Sequence, residues 1–285
     1  MANEMTTAVI AALLPDIKAK SIMQLNNNAD ILKTVAWEDT EGQEGANADF
    51  SFWSLPSSGD VGTPAEGISY TTNTKPTISE VVMKPTRHTL RNVFSSLAGK
   101  SKKDIVQKLS LWLTNGMLAK LEAEITALAS GFTNSVGGTT TAMSTSLLFE
   151  ALQYINATGY RGPIYGIISS QQFYHPTLGL ATLFDNPKLE SGVIGEALKI
   201  NGIVTSFYGI NWIISNEIDD SGDSATGMIM APGAIGLHSK GLVNAKAVED
   251  VDIGLSATKL VVEGMWKCAE LVDNYGVAIE TDITA

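Results

Sequence analysis

The sequence predicts an α+β fold, and three features of the 285-residue chain carry that prediction. One long helix with a continuous apolar stripe occupies 102–129. Strand-like stretches precede and follow it without alternating with it. A compact stretch of about 95 residues then mixes helices with buried-type strands, as an α/β subdomain does.

Composition bounds the rest. Apolar residues make up 44% of the chain and charged residues only 17%, with 30 Asp and Glu against 19 Lys and Arg, a formal charge of −11. A globular chain with so few charges points to a surface that meets other protein. The acidic balance argues against a dedicated nucleic-acid binder, which needs a basic patch. Cys268 is the single cysteine, so no internal disulfide staples the chain. His88, His175 and His238 lie far apart in sequence and lack zinc-site spacing. No cofactor is expected.

The elements read in order as follows. The N-terminal stretch lacks a basic n-region, carries Glu4, and has a short apolar run at 8–14, so it reads as an amphipathic helix rather than a secretion signal. No apolar run is long enough to span a bilayer. A soluble protein made in a reducing cytoplasm is the expectation. Up to residue 48 the chain has anchors (Ile22, Met23, Leu25, Ile31, Leu32, Val35, Trp37) but no sustained period. It reads as an extended arm that docks on its own domain or on a neighbour.

Residues 49–93 carry two strand-like runs, around Phe50-Ser51-Phe52-Trp53 and from Thr77 onward. They flank the turn-rich segment Ser57-Ser58-Gly59-Asp60-Val61-Gly62-Thr63-Pro64-Ala65-Glu66-Gly67. That pattern is a long β-hairpin. Its tip has too few large apolar residues to be a core element. A protruding hairpin exposes strand edges and costs entropy, so a partner should cover it.

In the long helix, Ser101 is a cap with Asp104 as an acidic partner, and Ile105, Leu109, Leu113, Met117, Leu121, Ile125 and Leu128 recur at helical spacing. A rod of roughly 42 Å follows from ~1.5 Å per residue. Gly116 costs about 1 kcal/mol there and marks a close contact or a bend. Gly131 closes the helix. A Gly/Thr loop at 136–141 leads to a helix over 145–158, a buried strand at 165–169, and a short helix from Gln171. Two strands follow at 203–207 and 211–215 around a Tyr208-Gly209 turn, then another at 227–231. The tail returns to β structure. Strands at 243–253 and 259–268 are joined by Gly254-Leu255-Ser256, and a last strand at 277–281 follows a turn at Asn274-Tyr275-Gly276.

Catalytic signatures are missing. Gly99-Lys100-Ser101 ends like a phosphate-binding loop, but Phe94 stands where that loop needs its first glycine, so a helix-initiating turn is preferred. No G-x-G-x-x-G and no G-x-S-x-G occurs. Cys268 sits in an alternating strand and reads as a buried small hydrophobe. His175 belongs to a helix end or turn. Asp219-Asp220-Ser221-Gly222-Asp223 lacks the later ligands of a calcium loop and reads as a solvated turn. Glu249-Asp250-Val251-Asp252 reads as a solvent edge.

The order of parts (arm, long hairpin, spine helix, α/β subdomain, β return) resembles the major capsid proteins of tailed bacteriophages, the Hong Kong 97-type fold. The segment from Phe52-Trp53-Ser54-Leu55 through Gly62-Thr63-Pro64-Ala65-Glu66-Gly67 is similar to that family's extended loop. Residues 78–92 are similar to its returning strand and 104–129 to its spine helix. The run Tyr165-Gly166-Ile167-Ile168-Ser169-Ser170-Gln171-Gln172-Phe173-Tyr174 is similar to the axial-domain strand and helix, and 202–216 to its following strand pair. Residues 228–237 and Asp273-Asn274-Tyr275-Gly276-Val277 are similar to its closing strands. The similarity covers nearly the whole chain after the arm, and the order is what identifies it.

The resemblance implies a shell subunit without enzymatic activity. Such subunits form pentamers and hexamers of an icosahedral virion capsid that encloses double-stranded DNA without reading its sequence, and they assemble in the host cytoplasm. On that pattern 1–48 is the N-terminal arm and 49–93 the extended loop. Residues 94–142 form the peripheral domain with the spine helix, and 143–240 the axial domain. Residues 241–285 are returning strands of the peripheral domain and the closing axial strand. Implied partners are further copies of itself, a separate scaffolding protein, a portal and, where the shell carries one, a decoration protein; no membrane is involved. The candidate intersubunit contacts are Trp53, Leu55, Glu66, Lys75, Arg87 and Trp37. Lys75 lies near the loop, but the partner Asn and catalytic Glu of cross-linking members find no match, so no cross-link is predicted. The same fold builds encapsulin compartments, which stay open as an alternative. So does a soluble α/β hydrolase or binding protein with a β insertion.

Overall fold

The computed structural model describes residues 30–41, 48–53, 66, 78–95, 105–183, 207–242, 244–249 and 257–284. The expected N-terminal helix, the Ser101 cap, the Gly99-Lys100-Ser101 turn, most of the strand at 203–207, the Gly254-Leu255-Ser256 turn and Asp250 to Asp252 lie outside them. Twelve strands and three α-helices are described, in the order β1 (Ala36–Asp39), β2 (Ala48–Trp53), β3 (Ile78–Met83), β4 (Thr86–Ser95), α1 (Ile105–Thr126), β5 (Ser135–Gly137), α2 (Thr145–Ala157), β6 (Ile164–Ile168), α3 (Ser170–Tyr174), β7 (Ile210–Ile214), β8 (Ser224–Met230), β9 (Ile235–Ser239), β10 (Asn244–Glu249), β11 (Ala257–Glu270) and β12 (Gly276–Asp282).

The first sheet is organised by β11, a strand of 14 residues. It pairs antiparallel with β10, β4 and β9, and β1 adds to β9 in parallel. Its residues alternate: Val262, Gly264, Trp266 and Cys268 are buried, whereas Met265 and Lys267 are exposed. The buried row packs on α1 through Leu113, Met117, Leu121 and Ile125, the stripe expected from the helical spacing. With its 22 residues α1 is about 33 Å long. A 3-10 segment, Ala127–Gly131, continues it, which replaces the α-helical last turn expected there. Gly116 is a close-contact glycine: a Cβ there would lie 3.0 Å from Leu90 Cδ2 of β4.

The second sheet has the order β5-β12-β8-β6-β7. The continuous apolar runs of β6 and β8 are explained by burial on both faces. Ile167, Met228 and Met230 join the core that holds α1. Their neighbours Ile168 and Ile229 join the core formed by α2 residues Leu147, Leu148, Ala151 and Ile155. One sheet thus shares its two faces between two cores. The start of the loop expected at 136–141 is instead strand β5 beside β12; Gly137 has φ +88°, and a Cβ there would strike the main-chain oxygen of Glu280. Ser169 caps α3 one residue earlier than expected, in a reciprocal box with Gln172: Gln172 N–H donates to Ser169 Oγ at 3.1 Å and Ser169 N–H to Gln172 Oε1 at 3.1 Å. Tyr208 (φ 53°) and Gly209 (φ 79°) form the expected turn, with Phe207 and Ile210 exchanging backbone hydrogen bonds of 2.9 and 3.0 Å.

The hairpin root and the arm differ from a simple reading. Strands β2 and β3 pair as a separate two-stranded sheet. The returning stretch is not one strand: it breaks at Lys84-Pro85, and β4 leaves the hairpin to pair with β11. Proline has no N–H to continue the ladder, which makes this the natural point for exchanging partners. Of the arm, residues 30–41 dock on their own chain, with Ile31 and Val35 in the first core and Ala36–Asp39 as β1.

Candidate intersubunit surfaces

No enzyme-like site emerges among the described residues. A cavity of about 440 Å³ lies where the end of α1 meets 217–226, lined by Thr126, Ser130, Glu217, Asp219, Ser224 and Thr226 among others. Asp219 Oδ1 accepts from Ser221 N–H (3.1 Å) and Ser221 Oγ (2.7 Å), a self-satisfied turn, and these bonds lower its pKa, the side-chain bond most. No group of three His, Cys, Asp or Glu among the described residues is placed to hold a metal. His175 Nδ1 accepts from Leu178 N–H at 3.1 Å, closing the end of α3. Burial, first, and the Glu124 carboxylate, second, push the Cys268 thiol up to about 12, against a smaller opposing effect of Lys267. No helix among the described residues is long and apolar enough to cross a membrane.

The surfaces hold more chemistry. The outward row of the first sheet presents Arg87, Arg91 and Lys267, all exposed. Lys246 (opposite Val261) and Lys259 (opposite Val93) occupy register positions of that same row. Among the described residues of that sheet, Glu263 and Glu38 are the acids in this row. In a chain of charge −11 this is a local reversal of sign. The inner row is locked to α1 by a small network. Trp266 Nε1–H donates to Glu124 Oε2 at 2.9 Å, Lys120 Nζ lies 3.3 Å from Glu124 Oε1, and the His88 ring stacks on Trp266 at 4.1 Å.

A second surface is aromatic. Phe149 of α2 is 53% exposed, and its ring meets Tyr208 edge-on at 5.0 Å; Tyr154, on the same helix, is also exposed. Tyr174 at the end of α3 and Trp112 on α1 are further exposed aromatics. Val82, at the hairpin root, is 58% exposed.

The candidates named from sequence fall in different places. Trp53 ends β2 opposite Ile78. Glu66 is exposed in a turn. Leu55 and Lys75 lie outside the described residues. Arg87 forms an ion pair with Glu263 across the outward face. Trp37 is 42% exposed on β1 and donates its Nε1–H to Ser239 Oγ at 3.0 Å. The sequence reading missed Phe149, Tyr154, Tyr208, Val82 and the basic row. Alternation in β11 was the available signal for the row; nothing local marks Phe149 as outward beside the buried Leu148.

Comparison with known proteins defines the class. No protein-family model matches the chain, and no curated protein matches its sequence. Solved structures match over almost the full length, and the fold they share with this chain is that of capsid proteins. The capsid of cyanophage P-SCSP1u has 14% identity and a TM-score of 0.62, covering 88% of this chain and 87% of that one. The capsid of a native GTA particle has 10% identity and a TM-score of 0.60, covering 89% and 90%. The encapsulin of the holo-SrpI complex from Synechococcus elongatus has 11% identity and a TM-score of 0.58, covering 90% and 89%. The chain thus has the fold of phage major capsid proteins, which encapsulins share.

Proposed function

We propose that this chain is a phage major capsid protein of the Hong Kong 97 type, self-assembling as pentamers and hexamers into an icosahedral shell around double-stranded DNA. The observation that carries the proposal is the capsid-protein fold over nearly the whole length, with a hairpin whose strands β2 and β3 pair, among the described residues, with each other alone. The segments 1–48 (arm), 49–93 (loop), 94–142 (peripheral), 143–240 (axial) and 241–285 (returning and closing strands) are the working division. The loop of one copy lies on a neighbour's peripheral domain. The acidic tip residues Asp60 and Glu66 complement the basic outward row of β4 and β11, and Trp53 and Leu55 supply apolar anchors at the contact. Rings of such heterologous contacts close when their curvature allows it. The subunit has a structural rather than an enzymatic role and works with a scaffolding protein and a portal in the virion.

Deleting residues 57–70 tests this. A folded subunit that no longer assembles is expected; normal shells without the loop would overturn the proposal. The encapsulin likeness favours one alternative, a bacterial compartment. Purified particles that contain an enzyme cargo and no DNA would select it.

A further inference from the structure

The arm and the hairpin root meet at one imidazole. His238, on β9, has no exposed surface. Its Nδ1 lies 3.2 Å from the main-chain oxygen of Met83, the last residue of β3. Its Nε2 lies 2.9 Å from Thr40 Oγ1, the residue after β1. A carbonyl only accepts, so Nδ1 carries the proton and donates to Met83. In the neutral ring Nε2 is then an acceptor, and the Thr40 hydroxyl donates to it. The alternative acceptor for that hydroxyl, Ser239 O, is farther away at 3.4 Å. Each proton has one best partner, so the chain Thr40 to His238 to Met83 is directional.

Packing reinforces the hairpin side of this joint. Gly236, two residues before His238 and on the same face, receives the Met83 side chain: a Cβ on Gly236 would lie 2.6 Å from Met83 Cε. Met83 is 1% exposed. The hairpin root is therefore seated on β9 by its side chain and its carbonyl. Beside it, β1 is zipped to β9 with Ala36 opposite Gly236 and Glu38 opposite His238.

We propose that His238 is a positioning residue that couples arm docking to the set of the hairpin. With β1 in place, the Thr40 hydroxyl holds the ring in the rotamer and tautomer that present Nδ1–H to Met83. Lifting of the arm frees the ring and loosens the hairpin root. The consequence rests on the shell-subunit reading, in which arm and hairpin both reach neighbours: capture of one by a neighbour then biases the presentation of the other.

Hydrogen exchange of the full-length chain, kept unassembled by dilution, tests the coupling. Thr40 makes no hydrogen bond to the described residues of the hairpin, yet Thr40→Val is expected to speed exchange in the peptide covering Ile78–Met83 by about fivefold, the worth of one typical hydrogen bond. His238→Asn keeps a donor near the Nδ1 position for Met83 O, and its shorter side chain places no acceptor at the Nε2 position for Thr40. In that background Thr40→Val should add nothing. Unchanged exchange over 78–83 in Thr40→Val, or effects of the two substitutions that simply add, overturns the proposal. If His238→Asn does not fold, the Thr40→Val measurement decides alone. A chain that never assembles but shows the coupled exchange sinks the shell reading and keeps the joint. A chain that assembles with uncoupled exchange does the opposite.

Discussion

Trp266→Phe tests whether β11 and α1 move as one plate. Trp266 is 1% exposed, donates to Glu124 Oε2 at 2.9 Å, and stacks on His88 with rings 17° from parallel. The ring also fills the space over Gly264, where a Cβ would meet Trp266 Cζ3 at 2.4 Å. Phenylalanine loses the N–H and the larger ring. A hydrogen bond to a charged group contributes about 1.5–3 kcal/mol, and the low end applies because Glu124 keeps Lys120 at 3.3 Å and its side chain is 25% exposed. The smaller ring forfeits about 1–1.5 kcal/mol of burial and packing. The expected loss is about 3 kcal/mol. For 285 residues an unfolding entropy of about 2.1 cal/mol/K per residue totals about 0.6 kcal/mol/K, so Tm falls by about 5 °C. Scanning calorimetry of unassembled subunits measures it, since assembly would add its own stabilisation. Glu124→Met, which has no oxygen acceptor, in both backgrounds isolates the pair: a coupling of about 1 kcal/mol or more is expected. A Tm change under about 1 °C, or additivity in the cycle, would refute the lock between sheet and helix.

Burial, opposed by the Ser215 hydroxyl and aided by the Glu217 carboxylate, raises Glu122 above its ordinary 4.5. The folded form therefore binds that proton more tightly, and the stability it contributes, full below about pH 4.5, is lost as pH rises through the raised value. Glu122→Gln should resist urea better than wild type at pH 7, with the gap closing toward pH 4; a gap that widens in acid would contradict the sign. Cys268, pushed up to about 12, should be inert to a thiol reagent at pH 8 until the chain unfolds, and full labelling of the native subunit within minutes would be the opposing result. Phe149→Ser should leave subunit stability within about 1 kcal/mol and reduce the yield of shells on native gels; undiminished assembly would remove α2 from the interface.

Sequence patterning made the spine legible because a long amphipathic helix repeats its signal many times, and α1 buries Leu113, Met117, Leu121 and Ile125 as the spacing requires. Strand β11 was legible for the same reason, through alternation. The arm strand β1 was not. Ala36-Trp37-Glu38-Asp39 has no period of its own, and its strand character comes from parallel pairing with β9, some 200 residues away. Strand β9, Ile235-Gly236-Leu237-His238-Ser239, is buried along its whole length and so shows no alternation. The break at Pro85 was visible as a residue, but only the pairing of β4 with β11 turns it into a change of partner. The contact surfaces were the least legible. Whether an apolar side chain on a helix faces its own core or a neighbour is settled by the third dimension, as Leu148 and Phe149 show.

A shell of like subunits has to reconcile rigidity with adjustment. The second sheet places alternate residues in two cores, so the α1 and α2 layers cannot shift independently without breaking close packing on both faces. The body is thus stiff by construction, and adjustment falls to whatever lies outside those cores. The arm strand β1, beyond the core residues Ile31 and Val35, and the hairpin root at Met83 both attach to the same short strand, β9. Charge makes their placement consequential. Copies of net charge −11 repel at long range, but beyond about 8 Å that repulsion is screened at physiological salt. What remains at contact is local sign, and the basic row of the first sheet is a face where an acidic segment of another copy is attracted rather than repelled. On the shell reading proposed above, such an acidic subunit associates with itself only in selected orientations.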